Sequence, residues 1–507
     1  MSSTRSSTVH GDTEEPGSKL QAGLNHDDLL TYSKPPLSYP SINKSEHDTW
    51  FDDPANPRNW SNFRKWCTVA TVSLYMFVSP LSSSTMAPGE EQIAMRYGIK
   101  SETILALTLS IFLVSFGVGP LILAPVSEMY GRKWVLHIGN LFSIAFHLGC
   151  AFAPNTAALI GFRFLAGLSG SAPVACGGAV ISDLFSERER ASAMALYSLG
   201  PLLGPGVGPI AGGFIAQTVG VQYVYFALAG ATVFASFVGL PTLRETYAPL
   251  LKLRLAARRA DPEKTPQIVE IQRTHQLSGK LQFLWINISR PLYLLTHSFI
   301  CFILSLYMAF MYSIYYLFFV TLNGFYTTTY GFSIGISGLM YAGLGVGFIT
   351  AASFGAKFSN TLYKYLADKN GGVGEPEMRI PPIFIGSIFV PIGLFWYGWS
   401  AQAKIHWIMP VIGSGIFGLG MMITFLPIQL YLVDSFKYAA SALSAAFLFR
   451  SMLGFAFPLF GHVMFAKLGF GWANSLLAGC AILLGIPFPV YIYYRGAALR
   501  AKSDLNR

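Results

Sequence analysis

The chain alternates long apolar runs with short polar breaks, and the runs fall into two sets of six. The first set covers about 66–86, 103–126, 134–153, 157–181, 192–216 and 221–240. The second covers about 294–322, 333–354, 380–399, 405–430, 439–464 and 472–494. Each run has membrane-crossing length. The pattern predicts an all-α membrane protein with twelve transmembrane helices. The domains expected are a tail at 1–65, a first helical set at 66–241, a basic linker at 242–293, a second set at 294–495 and a short tail at 496–507.

One run departs from ordinary helix composition. Between Ala191 and Gln217 there is no charge, and Gly200, Gly204, Gly208 and Gly212 recur every four residues beside Pro201, Pro205 and Pro209. Each proline removes a backbone donor and crowds the carbonyl four residues earlier. Such a segment survives in lipid when neighbouring helices re-satisfy the freed groups. A bare glycine ridge lets a second helix approach backbone to backbone. Two readings follow: a tight packing seam, or a bent helix at a moving interface.

Composition requires the membrane independently. Charged residues are 12% of the 507 and hydrophobic residues 52%, against about 25% charged in soluble domains. The net charge of +10 does not indicate nucleic acid, because the basic residues fall in the gaps between apolar runs, as topology determinants do. Cys67, Cys150, Cys176, Cys301 and Cys480 lie in or beside apolar runs without metal-type spacing and read as buried thiols, so no metal site is expected. The segment 1–39 is polar and Ser/Thr/Pro/Gly-rich, without the apolar core of a signal peptide, and reads as a disordered cytosolic tail.

Charge placement orients the chain. With a cytosolic N-terminus, Arg58, Arg64, Lys65, Arg132, Lys133, Arg188, Arg190, the bases of the linker, Lys357, Lys364, Lys369, Arg379, Lys437, Arg495 and Arg500 all face the cytosol. Arg96, Lys100, Lys404 and Lys467 remain on the outer side. Both termini are then cytosolic.

Four stretches carry candidate function. The turn Ala124-Pro125-Val126-Ser127-Glu128-Met129-Tyr130-Gly131-Arg132-Lys133 joins an acid, a glycine and a basic pair between the second and third runs. The fourth run contains Arg163-Phe164-Leu165-Ala166-Gly167-Leu168-Ser169-Gly170, a full charge that must face an aqueous cavity or a partner. Gly204 to Gly213 reads Gly-x-x-x-Gly-Pro-x-x-Gly-Gly. Ser441-Ala442-Leu443 leads through Arg450 to Phe457-Pro458-Leu459-Phe460. Together with Asn56-Pro57-Arg58-Asn59-Trp60 and Arg244-Glu245-Thr246-Tyr247-Ala248-Pro249, these resemble the fungal twelve-span drug/proton antiporter branch of the major facilitator superfamily, from about residue 50 to 495.

The resemblance implies two six-helix bundles and alternating access. It implies a conformational latch of Glu128, Gly131, Arg132, Lys133, Asp183 and Arg188, and an antiporter motif of Gly204, Gly208, Pro209, Gly212 and Gly213. The turn departs from the family pattern at Ala124, Val126, Glu128 and Met129. Where relatives often carry an acid at the start of the seventh run, this chain has Thr296-His297-Ser298, and Val320 and Ala446 replace other polar family positions.

No Asp or Glu lies deep in any run, so Arg163 and Arg450, one per half, are the membrane-embedded charges. Two arginines without carboxylates favour carboxylates or phosphates as cargo. Arg163, Arg450 and His297 are the candidates for substrate or proton coupling, with Asp183, Glu128 and Asp434 as competing proton carriers and His137, His147 and His462 as further titratable groups. No catalytic constellation and no ATP-binding loop is present, so neither enzymatic activity nor a cofactor beyond a proton gradient is expected.

The expected function is secondary active export of a small organic metabolite, anionic, for example a dicarboxylate such as itaconate, or a drug, across the plasma membrane by proton antiport. Glycolipid, toxin or broad multidrug export, a proton-independent facilitator, and a non-transporting sensor are the alternatives. The expected partners are the small-molecule substrate, protons and lipid, with a monomeric state.

Overall fold

The computed structural model describes residues 50 and 52–501, except 187, 188, 190, 260–275, 437 and 438. Ten stretches of the described residues are long and apolar enough to cross a membrane. One of them, Ala439–Arg500, is two helices meeting at Gly469, whose φ of 74° suits glycine. Counting both, and adding the 23-residue helix Asn62–Ser84, gives twelve.

These are α1 (Asn62–Ser84), α2 (Glu102–Tyr130), α3 (Arg132–Ala151), α4 (Thr156–Leu184), α5 (Ala191–Thr218), α6 (Val221–Thr242), α7 (Phe299–Tyr330), α8 (Ile334–Lys369), α9 (Pro376–Gln402), α10 (Ile408–Ser435), α11 (439–468) and α12 (470–500). Local signals set several ends. Asn155 caps α4 by accepting from Ala158 N at 2.8 Å, and Ser298 caps α7 by accepting from Cys301 N at 3.3 Å. Gly331, with φ 67°, closes α7. The cap at Ser298 also moves the start of the seventh helix to Phe299, beyond the 294 read from hydropathy. Residues 276–297 belong to a separate amphipathic helix, Gln276–His297.

The apolar side chains point both ways. Phe234, Phe237, Leu240, Trp472 and Leu483 are exposed on the outside, a surface fit for lipid. α7 is the most enclosed helix: 83% of its apolar window is buried, against 39% for α6. Its Tyr316 hydroxyl donates to Ser83 Oγ at 2.7 Å, so α7 lies on the seam between the halves.

α5 runs unbroken through its three prolines. The glycine ridge faces α1, within its own half. A Cβ on Gly200 or Gly204 would meet the backbone of Met76–Phe77 or of Phe77 and Leu81, and one on Gly212 would land on the Thr85 carbonyl. The seam with the other half uses a different face. Gly206 lies against Gly345, and Gly213 against Gly335 and Gly338 of α8. Thus, of the two readings open in the sequence, the ridge fits the packing seam within its own bundle, and the face turned to the other half is Gly206, Pro209 and Gly213. At this end Gln217 Oε1 accepts from Gly335 N at 2.8 Å, and Asn323 Nδ2 donates to Pro88 O at 3.1 Å, closing the two halves together.

Candidate functional site

Arg450 sits on α11 with its guanidinium carbon 4.3 Å from the ring centre of Phe447, 4.8 Å from Tyr312 of α7 and 5.8 Å from Phe425 of α10. Its Nε is buried without a hydrogen-bond partner. Phe447 lies three residues back on the same helical face. The cage therefore holds the cation by ring faces and leaves a directional donor unused.

Arg163 is held quite differently. It is fully buried, and Nε donates to Thr108 O at 3.2 Å, Nη1 to Ser82 O at 2.7 Å, and Nη2 to Ser83 O and Leu109 O at 3.3 and 3.2 Å. Four donors spent on carbonyls of α1 and α2 make it a tie between three helices of one bundle. Its partner is backbone, and no aqueous cavity is needed. Sequence alone could not separate the two arginines, because both are single cations in apolar runs.

A row of rings nonetheless links them. Phe447 lies 5.7 Å from Phe116 of α2, and Phe116 lies 5.4 Å from Phe112, whose ring takes the Arg163 guanidinium at 5.0 Å. α2 and α11 approach closely here, since a Cβ on Gly117 would press on Ser451.

At the end of the molecule that carries the α2–α3 turn, the candidate latch residues assemble around Glu245, an acid of the Arg244–Pro249 stretch rather than of the turn itself. Glu245 Oε1 accepts from the backbone N–H of Arg132, Thr246 and Tyr247 at 3.0, 3.1 and 3.0 Å, and Oε2 from Lys133 N at 3.4 Å. An anion at the start of α3 meets orphan helix amides there. Gly131, at φ 104°, has no room for a Cβ, which would collide with the Glu245 carboxylate. Arg132 Nε lies 3.5 Å from Asp183 Oδ2, which also accepts from Thr246 Oγ1 at 3.1 Å. Glu128 is half-buried within electrostatic reach of Arg132. Arg188 lies outside the described residues.

The second half repeats this device. Arg379 Nε pairs with Asp434 Oδ2 at 3.2 Å, and Arg500 forks onto Glu377 at 2.9 and 2.7 Å. Asp434 corresponds to Asp183 as the acid at the end of the fourth helix of its half. Hydropathy could not reveal the Glu377–Arg500 pair, because its members are 123 residues apart.

His297 ends the amphipathic helix before α7, exposed, stacked on Tyr293 at 4.0 Å and bonded to Thr296. It is outside the crossing, and Arg450 and His297 are not brought together. His147 is buried in α3.

A profile of the Major Facilitator Superfamily matches residues 72–458. The chain belongs to the major facilitator superfamily. Among fungal relatives of the superfamily, it is 42% identical to the MFS transporter cpaT of Aspergillus oryzae, covering 89% of this chain and 90% of that one. It is 41% identical to the efflux pump radE of Floropilus chiversii, over 89% and 84%, and 40% identical to the efflux pump vrtL of Penicillium aethiopicum, over 92% and 93%. Among solved structures, the proton:xylose symporter XylE superposes with a TM-score of 0.61 at 13% identity, covering 86% of this chain and 96% of that chain. That likeness shows the fold alone. As a superfamily member the chain is a multi-pass membrane transporter.

Proposed function

We propose that this transporter exports a small anionic organic metabolite across the plasma membrane in exchange for protons, with both termini in the cytosol. The observation that carries the reading is Arg450, a buried guanidinium caged by Phe447, Tyr312 and Phe425 with its Nε donor unpartnered. A carboxylate is the group that such a donor recognises best. The efflux names of the fungal relatives support the outward direction. Inward proton flow would supply about 2.3 kcal/mol per charge per 100 mV, plus the pH difference.

The rings around Arg450 extend through Tyr315, Tyr316, Phe319 and Phe348. This wall favours, as a second reading, a larger aromatic metabolite or a broad range of drugs.

Flux into proteoliposomes under an imposed pH gradient tests both. Labelled itaconate and an aromatic carboxylate are compared with a cationic dye. Saturable, gradient-driven flux of the acids, lost in Arg450→Gln, is expected. Flux of the cation alone overturns the anionic cargo, and flux indifferent to the gradient overturns the exchange.

A further inference from the structure

The end of the seam opposite the latch holds a carboxyl that neither the latch nor the Arg450 site uses. Glu90 opens the short helix Glu90–Tyr97 that follows α1, and it is only 6% exposed. Its Oε1 is buried without a hydrogen-bond partner. The preceding turn, Ala87–Gly89, is wedged between the two bundles. A Cβ on Gly89 would press on Val221 and Ala216 of the first bundle, while Asn323 of the second donates to Pro88 O at 3.1 Å. Asn323 Oδ1 is likewise buried and unpartnered.

The titratable groups in electrostatic reach of Glu90 are Glu91 on its own helix, Glu102 at the start of α2 and Tyr341 on α8. None is a cation. The Tyr341 hydroxyl hydrogen is already directed at Phe319 O, 3.0 Å away. α5 offers Gln217 here, committed to Gly335 N. A carboxylate held at this point leaves Oε1 buried without a donor and has two like charges beside it, so the closed seam favours Glu90 in its neutral form. Burial first, and then Glu91 and Glu102, push its pKa from 4.5 to about 8.

We infer that Glu90 is a proton-binding site that locks this end of the seam: the proton must be on Glu90 for α5 and α8 to close against each other, and its loss favours separation. This deepens the proton-exchange reading and rests on it for its physiological use, since in that reading this end faces outward and is loaded by external acid. Its test does not involve transport. The closed-to-open ratio should be constant below pH 4.5, fall by up to tenfold per pH unit as pH rises toward about 8, and level off above.

Hydrogen exchange in lipid nanodiscs, corrected for intrinsic rates from pH 5 to 9, reads this on peptides covering 212–220 and 330–340. In the wild-type protein, protection falls as pH rises. Glu90→Gln keeps the low-pH protection up to pH 9, and Glu90→Asp retains a pH-dependent profile. A wild-type profile flat in pH, or an unchanged slope in Glu90→Gln, overturns the inference. Gradient-indifferent flux with an intact pH profile here would instead defeat only the exchange reading.

Discussion

Ser84 donates its hydroxyl to the carbonyl of Pro205 at 3.0 Å, the acceptor that Pro209 deprives of its helical N–H. At Pro209, α1 supplies the donor that the continuous helix α5 lacks. That is possible only where glycines let the two backbones come together.

Replacing Ser84 by alanine leaves a buried carbonyl without a donor and should cost about 1–3 kcal/mol. Thermal unfolding in detergent, followed by tryptophan fluorescence, checks this. Gly212→Ala should cost more, since its Cβ would strike the Thr85 carbonyl. Gly206→Ala should be tolerated in folding, because its nearest neighbour, Gly345 Cα, is 3.8 Å away across the seam. Equal losses for Gly206→Ala and Gly212→Ala would refute the assignment of the two faces.

The glycine and proline spacing was legible in sequence, and with it the close helix contact. Which helix fills the contact was not, because a four-residue repeat specifies a ridge and not its occupant. The same holds for Arg163 and Arg450. Hydropathy marks both as costly charges in apolar runs, but only the fold brings the Ser82, Ser83, Thr108 and Leu109 carbonyls to one and the rings to the other. Glu90 is hidden in the sequence for the opposite reason: it sits in a polar break that reads as solvated, and its burial comes from distant segments of both bundles. The helical content and the six-plus-six order were readable from local pattern. Contacts between distant segments, such as Glu377 with Arg500, were not.

The turn itself gives a second prediction. Gly131→Ala places a Cβ at φ 104° and against the Glu245 carboxylate, combining backbone strain of about 1–3 kcal/mol with a collision. Glu245→Ala unpairs the amides of Arg132, Lys133, Thr246 and Tyr247. Both variants should lower the melting temperature and slow transport. If Glu245→Ala matches wild type in both measurements, the acid is not the organiser of this end.

A pH prediction follows from Glu90. Its pKa is about 8 in the closed protein against an ordinary 4.5. Below pH 4.5 the neutral carboxyl is present in folded and unfolded chains alike, and the folded state is at its full stability. As pH rises from 4.5 to 8, the unfolded chain gains by releasing a proton that the closed form must keep, so the closed form loses stability at up to about 1.4 kcal/mol per pH unit, less whatever opening of the seam recovers. The stability of Glu90→Gln relative to wild type should therefore rise across that window and level above it. A relative stability unchanged between pH 5 and 8 would show that ionised Glu90 costs the folded protein nothing, whether the seam is closed or open.

The sharpest contrast lies between the two arginines. Arg163→Lys keeps a charge but has one compact donor head for four carbonyls spread over α1 and α2. Three ammonium donors cannot serve four carbonyls, so at least one of these bonds is lost and the fork that ties α1 to α2 goes with it; a loss of about 2–5 kcal/mol in stability is expected, with little folded protein recovered. Arg450→Lys loses the planar cation over Phe447 and Tyr312, a contribution of about 0.5–2 kcal/mol, and strands no acceptor. That variant should fold, melt within a few degrees of wild type and yet transport anions at least tenfold more slowly. Melting temperature and proteoliposome flux measured on the same preparations separate the two effects. An Arg450→Lys protein with full flux, or an Arg163→Lys protein of wild-type stability, would reverse the roles given to these residues.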